Sequence, residues 1–513
     1  MKSDNKINTH LFPLIKSMKP SEKRYFKVFA KKHVIRQSNN YVSLFNIIDG
    51  MQDYNEQEVR HLFKTETGSG NIAEAKYYLY RLVLKSLHSF HISSSADAKL
   101  KEQLHHVEVL YRKALYDQCL KLLAAAKAFA YRHEKHIYLM EILAWEIRIG
   151  TGEMKLPDNR LEEIFSEETN VINLYKNTAL TRNLANKIIM NQGPARKSAD
   201  LQAHKAVIKN PVFRSEKNAL TYESRFFFYK AFSTYCLIKG DYLNSYKFDK
   251  KFVDLIESRP QHIAESPNDY TVGLHNLALK AIYLKKYNEC LEQVKKLREL
   301  PAKYKLKSGH DYIKIFIRSN LAELNVYLDT GNYKKAVLLV PSIEQGLSAY
   351  DKQISDTHKL FLYYYTAYAY LLADDNRKAI QWLNKILNTT WNTAEIVPIY
   401  ARILNLIAHF QLKNYDTLDY LVKSTYRFLY KSRHLYKSES IILSFIGKKL
   451  LRVTSDAELV MAFRELKEEL TAISKDRFER RALEYFDFIY WLESKISNRP
   501  FAEVVKENTK TAG

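Results

Sequence analysis

From Tyr312 to Leu328 the apolar residues fall at Ile313, Phe316, Ile317, Leu321, Leu324 and Leu328. Steps of three and four place them on one face of a helix. Leu291, Val294, Leu297 and Leu300 repeat the pattern one segment earlier. Turn material divides these stretches at Arg259-Pro260, Ser266-Pro267, Leu300-Pro301 and Ser308-Gly309, where proline stops one helix or opens the next. Pro341 falls inside the helix predicted to start at Tyr333, so a kink or an early end is expected there.

The helical segments belong to an internal repeat. Each copy has a long amphipathic stretch, a short polar turn, an aromatic residue and, three positions later, a small residue. Gly331-Asn332-Tyr333 leads to Ala336, and Gly240-Asp241-Tyr242 to Ser245. Lys286-Tyr287 leads to Cys290, Asp375-Asn376 to Ala379, Asn414-Tyr415 to Leu418, and Leu115-Tyr116 to Cys119. Positions 242, 287, 333, 376 and 415 are separated by 45, 46, 43 and 39 residues, a near-constant period of the kind stacked repeats show. Tyr116 lies 126 residues before Tyr242, which leaves room for two or three further units. Two antiparallel helices need a short turn, and glycine or aspartate permits left-handed backbone in it. The aromatic residue would wedge between the helices, and the small one would let them approach. One such pair cannot bury its apolar face alone, so neighbours must stack.

These residues resemble the tetratricopeptide repeat family, which has a glycine at the inter-helix turn, an aromatic residue opening the second helix and alanine three positions on. Gly331, Tyr333 and Ala336 match that pattern, as do Gly240 and Tyr242 with serine for alanine. Tyr327 and Tyr370 match the family's first-helix tyrosine, and Pro301 its terminal proline. The period departs from the family's, and its tryptophan and leucine-glycine elements are largely missing. The resemblance covers roughly residues 100–435, most securely 222–431. It implies an all-α fold, a right-handed superhelical stack of antiparallel helix pairs between helical caps. The expected divisions are a basic N-terminal cap at 1–95, degenerate first repeats at 96–221, tetratricopeptide-like repeats at 222–434, a C-terminal cap at 435–498 and a flexible tail at 499–513. It also implies a concave binding surface made by the first helices. Carried onto this chain, the residues facing it are Lys230, His275, Arg318, Asn325, Tyr364 and Tyr368.

Composition supports helices. Only 13 glycines and 11 prolines occur in 513 residues, too few for the tight turns of a β-rich fold. The formal charge of +23 favours acidic proteins, nucleic acid or anionic surfaces without choosing among them. Cys119, Cys236 and Cys290 are far apart and lack metal or disulfide spacing, so they read as buried hydrophobes in a reducing compartment. No secretory segment follows Met1-Lys2-Ser3. The longest apolar run, Leu360 to Ala373, has 14 residues including five tyrosines, short of the ~20 that span a bilayer. A buried helix and a cytoplasmic protein with no membrane partner are expected.

Residues 1–33 carry nine lysines and arginines against two acidic residues. Lys16, Lys19, Lys23, Arg24, Lys27 and Lys31 are the candidate phosphate contacts, with Lys23, Lys27 and Lys31 forming an i, i+4 stripe. The plainer reading is a solvated face on a capping helix. His133-Glu134-Lys135-His136 lacks the i, i+4 spacing of a zinc helix. Thr67-Gly68-Ser69-Gly70-Asn71 lacks the phosphate-loop lysine and reads as a loop with a helix cap. No catalytic residue, metal or cofactor is implied. The leading expectation is a protein–protein interaction scaffold that holds an acidic peptide or partner domain. The alternative is a nucleic-acid-associated regulator using the basic N-terminal region, and an enzyme assembled across repeats is a third.

Overall fold

The computed structural model describes residues 4–32, 40–68, 71–91, 95–153, 156–190, 201–306, 309–391, 397–431, 437–449, 455–476, 479 and 484–511. Among these residues the regular structure is helical and no strand occurs. No helix among them is long and apolar enough to cross a membrane. The chain separates into two compact units, Met1–Tyr175 and Lys176–Gly513.

In the first unit, α1 (Asp4–Ser17), α2 (Pro20–Lys32), α3 (Asn40–Gly50), α4 (Glu56–Thr67) and α5 (Ile72–His91) share one core. Its centre is Leu11, Ile15, Phe26, Phe45, Phe63 and Leu79. Three helices of equal length follow, α6 (Ala96–Arg112), α7 (Tyr116–Arg132) and α8 (His136–Gly152). They bury Leu100, Cys119, Leu123, Leu139 and Ile142 together with Ile164 and Val171 of α9 (Asp158–Ile189).

The second unit contains the repeats. After α10 (Gln202–Ile208) come α11 (Tyr222–Lys239), α12 (Tyr242–Glu257), α13 (Pro260–Glu265), α14 (Pro267–Tyr283) and α15 (Tyr287–Tyr304). Then follow α16 (Gly309–Asp329), α17 (Tyr333–Ala349), α18 (Asp356–Leu372), α19 (Asn376–Leu387), α20 (Val397–Gln411) and α21 (Tyr415–Lys431). The chain closes with α22 (Lys437–Ser444), α23 (Asp456–Ile473), α24 (Phe488–Ile496) and α25 (Phe501–Thr511). Order along the chain is order in packing: α11 meets α12, α14 meets α15, α16 meets α17, α18 meets α19 and α20 meets α21. First helices also touch in succession, α14 on α16, α16 on α18 and α18 on α20. The seam is continuous because α16 serves two cores. Ile315, Ala322 and Val326 face the earlier repeats, while Ile313, Ile317, Leu321 and Leu324 face the later ones.

One backbone turn recurs at seven junctions among the described residues. A residue with positive φ ends the first helix: Ala114, Glu134, Gly240, Lys285, Gly331, Asp374 and Lys413. The next N–H then reaches back five residues. Leu115 bonds the Leu110 carbonyl at 3.1 Å, Asp241 that of Cys236 at 2.8 Å, Lys286 that of Ala281 at 2.8 Å and Asn332 that of Tyr327 at 2.8 Å. This is the Schellman ending of a helix, which satisfies carbonyls the helix leaves open. The second helix starts two residues after the left-handed one, and its fourth residue is fully buried in all seven cases: Cys119, Leu139, Ser245, Cys290, Ala336, Ala379 and Leu418. Asp241, Asn332 and Asp375 also cap the new helix, accepting from the N–H groups of Asn244, Lys335 and Lys378. His133 to His136 is the α7–α8 junction, which accounts for that motif without a metal.

Several expectations change. α17 runs past Pro341 to Ala349, and Pro301 lies inside α15 rather than between helices. The aromatic residues reach forward to the next pair: Tyr242 stacks on Tyr283 with centroids 4.3 Å apart, and the Tyr287 hydroxyl donates to Asp329 at 2.5 Å. Residues 499–513 were expected as a tail, but α25 occupies 501–511 and buries Phe501, Ala502, Val504 and Val505.

Opposite substitutions test the turn. Gly331 has φ 66°, and a β-carbon there would meet the Ala502 carbonyl at 2.4 Å. Gly331→Ala should therefore lower stability by about 2–5 kcal/mol in urea unfolding, the left-handed penalty plus the clash. Ala114 has φ 57°, and Ala114→Gly should leave stability unchanged or raise it by up to about 1 kcal/mol.

Candidate functional site

The first helices of successive repeats bring together a half-buried cluster of charge. α11 supplies Lys230, α14 supplies Asp269 and His275, α16 supplies Lys314 and Arg318, and α18 supplies His358. Arg318 is bracketed by α14: both terminal nitrogens donate to Asn268 Oδ1, at 3.4 and 3.3 Å, and one also donates to Thr271 Oγ1. His275 Nδ1 lies 3.2 Å from the Arg318 carbonyl. A carbonyl can only accept, so Nδ1 carries the proton and Nε2 is left as an acceptor.

Electrostatics follow from partial enclosure. Burial first, then the Arg318 and Lys280 charges, push the His275 pKa down to about 3, so the ring is neutral at pH 7. His358 is lowered by burial and by Arg318. Burial brings Arg318 down to about 10, still charged at neutral pH, with Asp269 opposing that shift. Burial raises Asp269, while Lys230, Lys314 and Arg318 pull it back. These groups keep part of their surface open to solvent, yet the surrounding chain desolvates them. Three cations around one carboxylate, in reach of solvent and with Arg318 poorly hydrated, favour an anion that supplies the missing negative charge.

The rest of this face is covered by the chain's own C-terminal segment. The Tyr364 hydroxyl donates to the Tyr485 carbonyl at 2.8 Å, and Tyr485 stacks on Tyr400 at 4.8 Å. Phe486 and Phe501 pack on the Tyr368 ring at 4.9 and 6.3 Å. Tyr242 donates to Glu484 at 2.7 Å, Trp491 to Gln411 at 2.8 Å, and Thr509 to the Asp329 carbonyl at 2.9 Å.

Of the six residues that the resemblance placed on the binding face, Lys230, His275 and Arg318 join the cluster. Tyr364 and Tyr368 are buried under residues 484–511 and present no open surface. Asn325 donates back to the Leu321 carbonyl at 2.8 Å and lies beside Tyr365. Asp269, Lys314 and His358 were not foreseen, although Lys314 stands one turn before Arg318 and was readable from spacing.

The N-terminal stripe is not one free face. Lys23 pairs with Asp49, Lys16 donates to the Asp49 carbonyl at 2.7 Å, and Lys27 lies 5.9 Å over the Phe45 ring, so these side chains follow the seam with α3. Lys19, Arg24 and Lys31 are exposed. Gly68 ends α4 with φ 67° and Asn71 caps α5, while Ser69 and Gly70 lie outside the described residues. Among the described residues no group of three or more histidine, cysteine, aspartate or glutamate side chains is gathered as a metal would need.

Asp487 gives this region a pH dependence. Burial and the nearby Asp329 charge raise it to about 7, against the Tyr490 N–H that it accepts and Lys285. Between about pH 4 and 7 the unfolded chain has released a proton that the folded chain keeps, so stability falls as pH rises through that window. Asp487→Asn keeps the helix cap and should stabilise the protein at pH 8 by at most about 4 kcal/mol, at about 1.4 kcal/mol per pKa unit, with the gain vanishing below pH 4. Thermal unfolding of both proteins at pH 4, 6 and 8 measures it. No family model matches the chain, and no match is found among curated proteins or solved structures, so what it does has to be read from its own residues.

Proposed function

We propose that the protein is a non-enzymatic interaction scaffold, a right-handed stack of antiparallel, tetratricopeptide-like helix pairs that holds an acidic peptide or partner segment on its first-helix face. The observation that carries this reading is the convergence of Lys230, Lys314 and Arg318 around Asp269 from three successive first helices. An extended acidic segment crossing these helices would meet one cation after another. Arg318, already bracketed by Asn268 and Thr271, loses little side-chain freedom on binding. Three buried, unpaired cysteines fit a cytoplasmic setting.

The test is fluorescence anisotropy with a dye-labelled ten-residue glutamate-rich peptide, and affinity capture from the native cell with the same variants. Arg318→Ala should weaken peptide binding by about 10- to 100-fold, the worth of a charge-assisted contact. Lys230→Ala and Lys314→Ala should cost about three- to tenfold each, and Tyr364→Phe, beneath the C-terminal segment, should change nothing. Unaltered binding and capture in folded Arg318→Ala and Lys314→Ala would rule out this site.

A further inference from the structure

The outward side of α2 and α5 in the first unit is a separate surface with its own chemistry. The two helices are joined where the Tyr25 hydroxyl lies 2.9 Å from Ser89 Oγ, where the Tyr25 ring meets Phe90 at 5.2 Å, and where His91 Nε2 lies 2.8 Å from Glu22 Oε1. Two carboxylates here are turned inward and already answered, while Glu74 of α5 is exposed and accepts from the Asn71 side chain at 2.7 Å. Glu22 is buried and accepts the Lys19 N–H as well, and Asp49 is taken up by Lys23.

Apart from Glu74, the charge that remains outward is cationic. Arg24, Lys31 and Lys32 of α2 and Arg81 and Lys85 of α5 are exposed. Ion pairs in the first five helices join Lys23 to Asp49, Arg60 and Lys76 to Glu56, and His91 to Glu22. Among the described residues they include none of those five. Steps of three and four set Arg24, Val28 and Lys31 on one side of α2, and Tyr77, Arg81, Leu84 and His88 on one side of α5.

Large apolar groups stand among these charges instead of being withdrawn. Val28 is 56% exposed and Tyr77 48%, and Tyr78, Leu84 and Phe90 are exposed too. Two of the rings are braced: Tyr78 lies 4.4 Å from the Tyr41 ring, and the Arg81 guanidinium lies 5.8 Å over Tyr77. On neighbouring turns of two packed helices they give this charged face an apolar component as well. A bilayer takes helices whose apolar and charged sides are segregated, and here the two alternate. A nucleic-acid duplex would engage the cations but keep its bases stacked inside, away from the rings. A strand with unstacked bases uses both, phosphates on the cations and bases on the tyrosines.

We infer that the α2–α5 face binds single-stranded nucleic acid, with Arg24, Lys31, Lys32, Arg81 and Lys85 tracking phosphates and Tyr77 and Tyr78 stacking bases. This activity is independent of the acidic-peptide site on the second unit.

The test uses the full chain and a fluorescein-labelled 20-nucleotide thymidine oligomer, followed by anisotropy. Binding at 50 mM salt should weaken about a hundredfold at 200 mM, as release of about five counterions from a single strand requires. The double variant Arg24→Glu/Lys85→Glu should abolish binding. Tyr77→Ala/Tyr78→Ala should weaken it about tenfold without changing the salt slope. Arg318→Ala should leave it untouched, which separates this site from the peptide site. Circular dichroism melts matching the parent show that each variant is folded. The proposal is overturned by no binding at 50 mM salt, by equal competition from a 20-base-pair duplex or from phosphatidylserine vesicles, or by tyrosine variants that bind as the parent does.

Discussion

A single joint holds this protein in register. At each of seven junctions a left-handed residue turns the chain, an N–H reaches back five residues, and the fourth residue of the new helix is sealed against the old one. The left-handed conformation costs roughly 1–2 kcal/mol where the residue is not glycine. The backbone bonds it permits return about 1 kcal/mol each, and the buried fourth residue adds apolar contact. The joint fixes where the second helix begins. The second helix in turn sets how the first helices meet, α14 on α16 and α16 on α18. The polar cluster depends on that succession, because Lys230, Asp269 and Arg318 share no helix.

The same face divides into two regimes. Toward α11 and α14 it is cationic and partly open, with Arg318 held by neighbouring side chains. Toward α18 and α20 it is aromatic and closed by residues 484–511. Burial governs both. It drives His275 to neutrality and keeps a proton on Asp487 near pH 7. The first unit repeats the helical vocabulary with a different surface: on α2 and α5 Glu22 is turned inward, and arginine, lysine and tyrosine stand outward with Glu74 among them.

Much of the array was legible in sequence because the joint leaves a local mark, an aromatic residue and then a small one. Gly240 and Gly331 made that mark plain. At Ala114, Glu134, Lys285 and Lys413 the left-handed residue is not glycine, so the turns on either side of α7 were weaker signals and His133-Glu134-Lys135-His136 resembled a metal motif. The covering segment left no local mark at all. Its contacts join Tyr364 to Tyr485, Asp329 to Thr509 and Tyr242 to Glu484, separations of 121, 180 and 242 residues. α25 itself was readable, since Phe501, Val504 and Val505 fall on one helical side. In α2, the i, i+4 spacing of Lys23, Lys27 and Lys31 said that they share a face but not which neighbour that face meets.

Those long separations also impose an order in time. A chain made from its N-terminus completes α11 to α20 well before residues 484–511 exist, and contacts between distant segments form only after the nearer ones. During synthesis Tyr364, Tyr368 and Tyr400 therefore stand bare on the stack until residues 484–511 have been made to shield them.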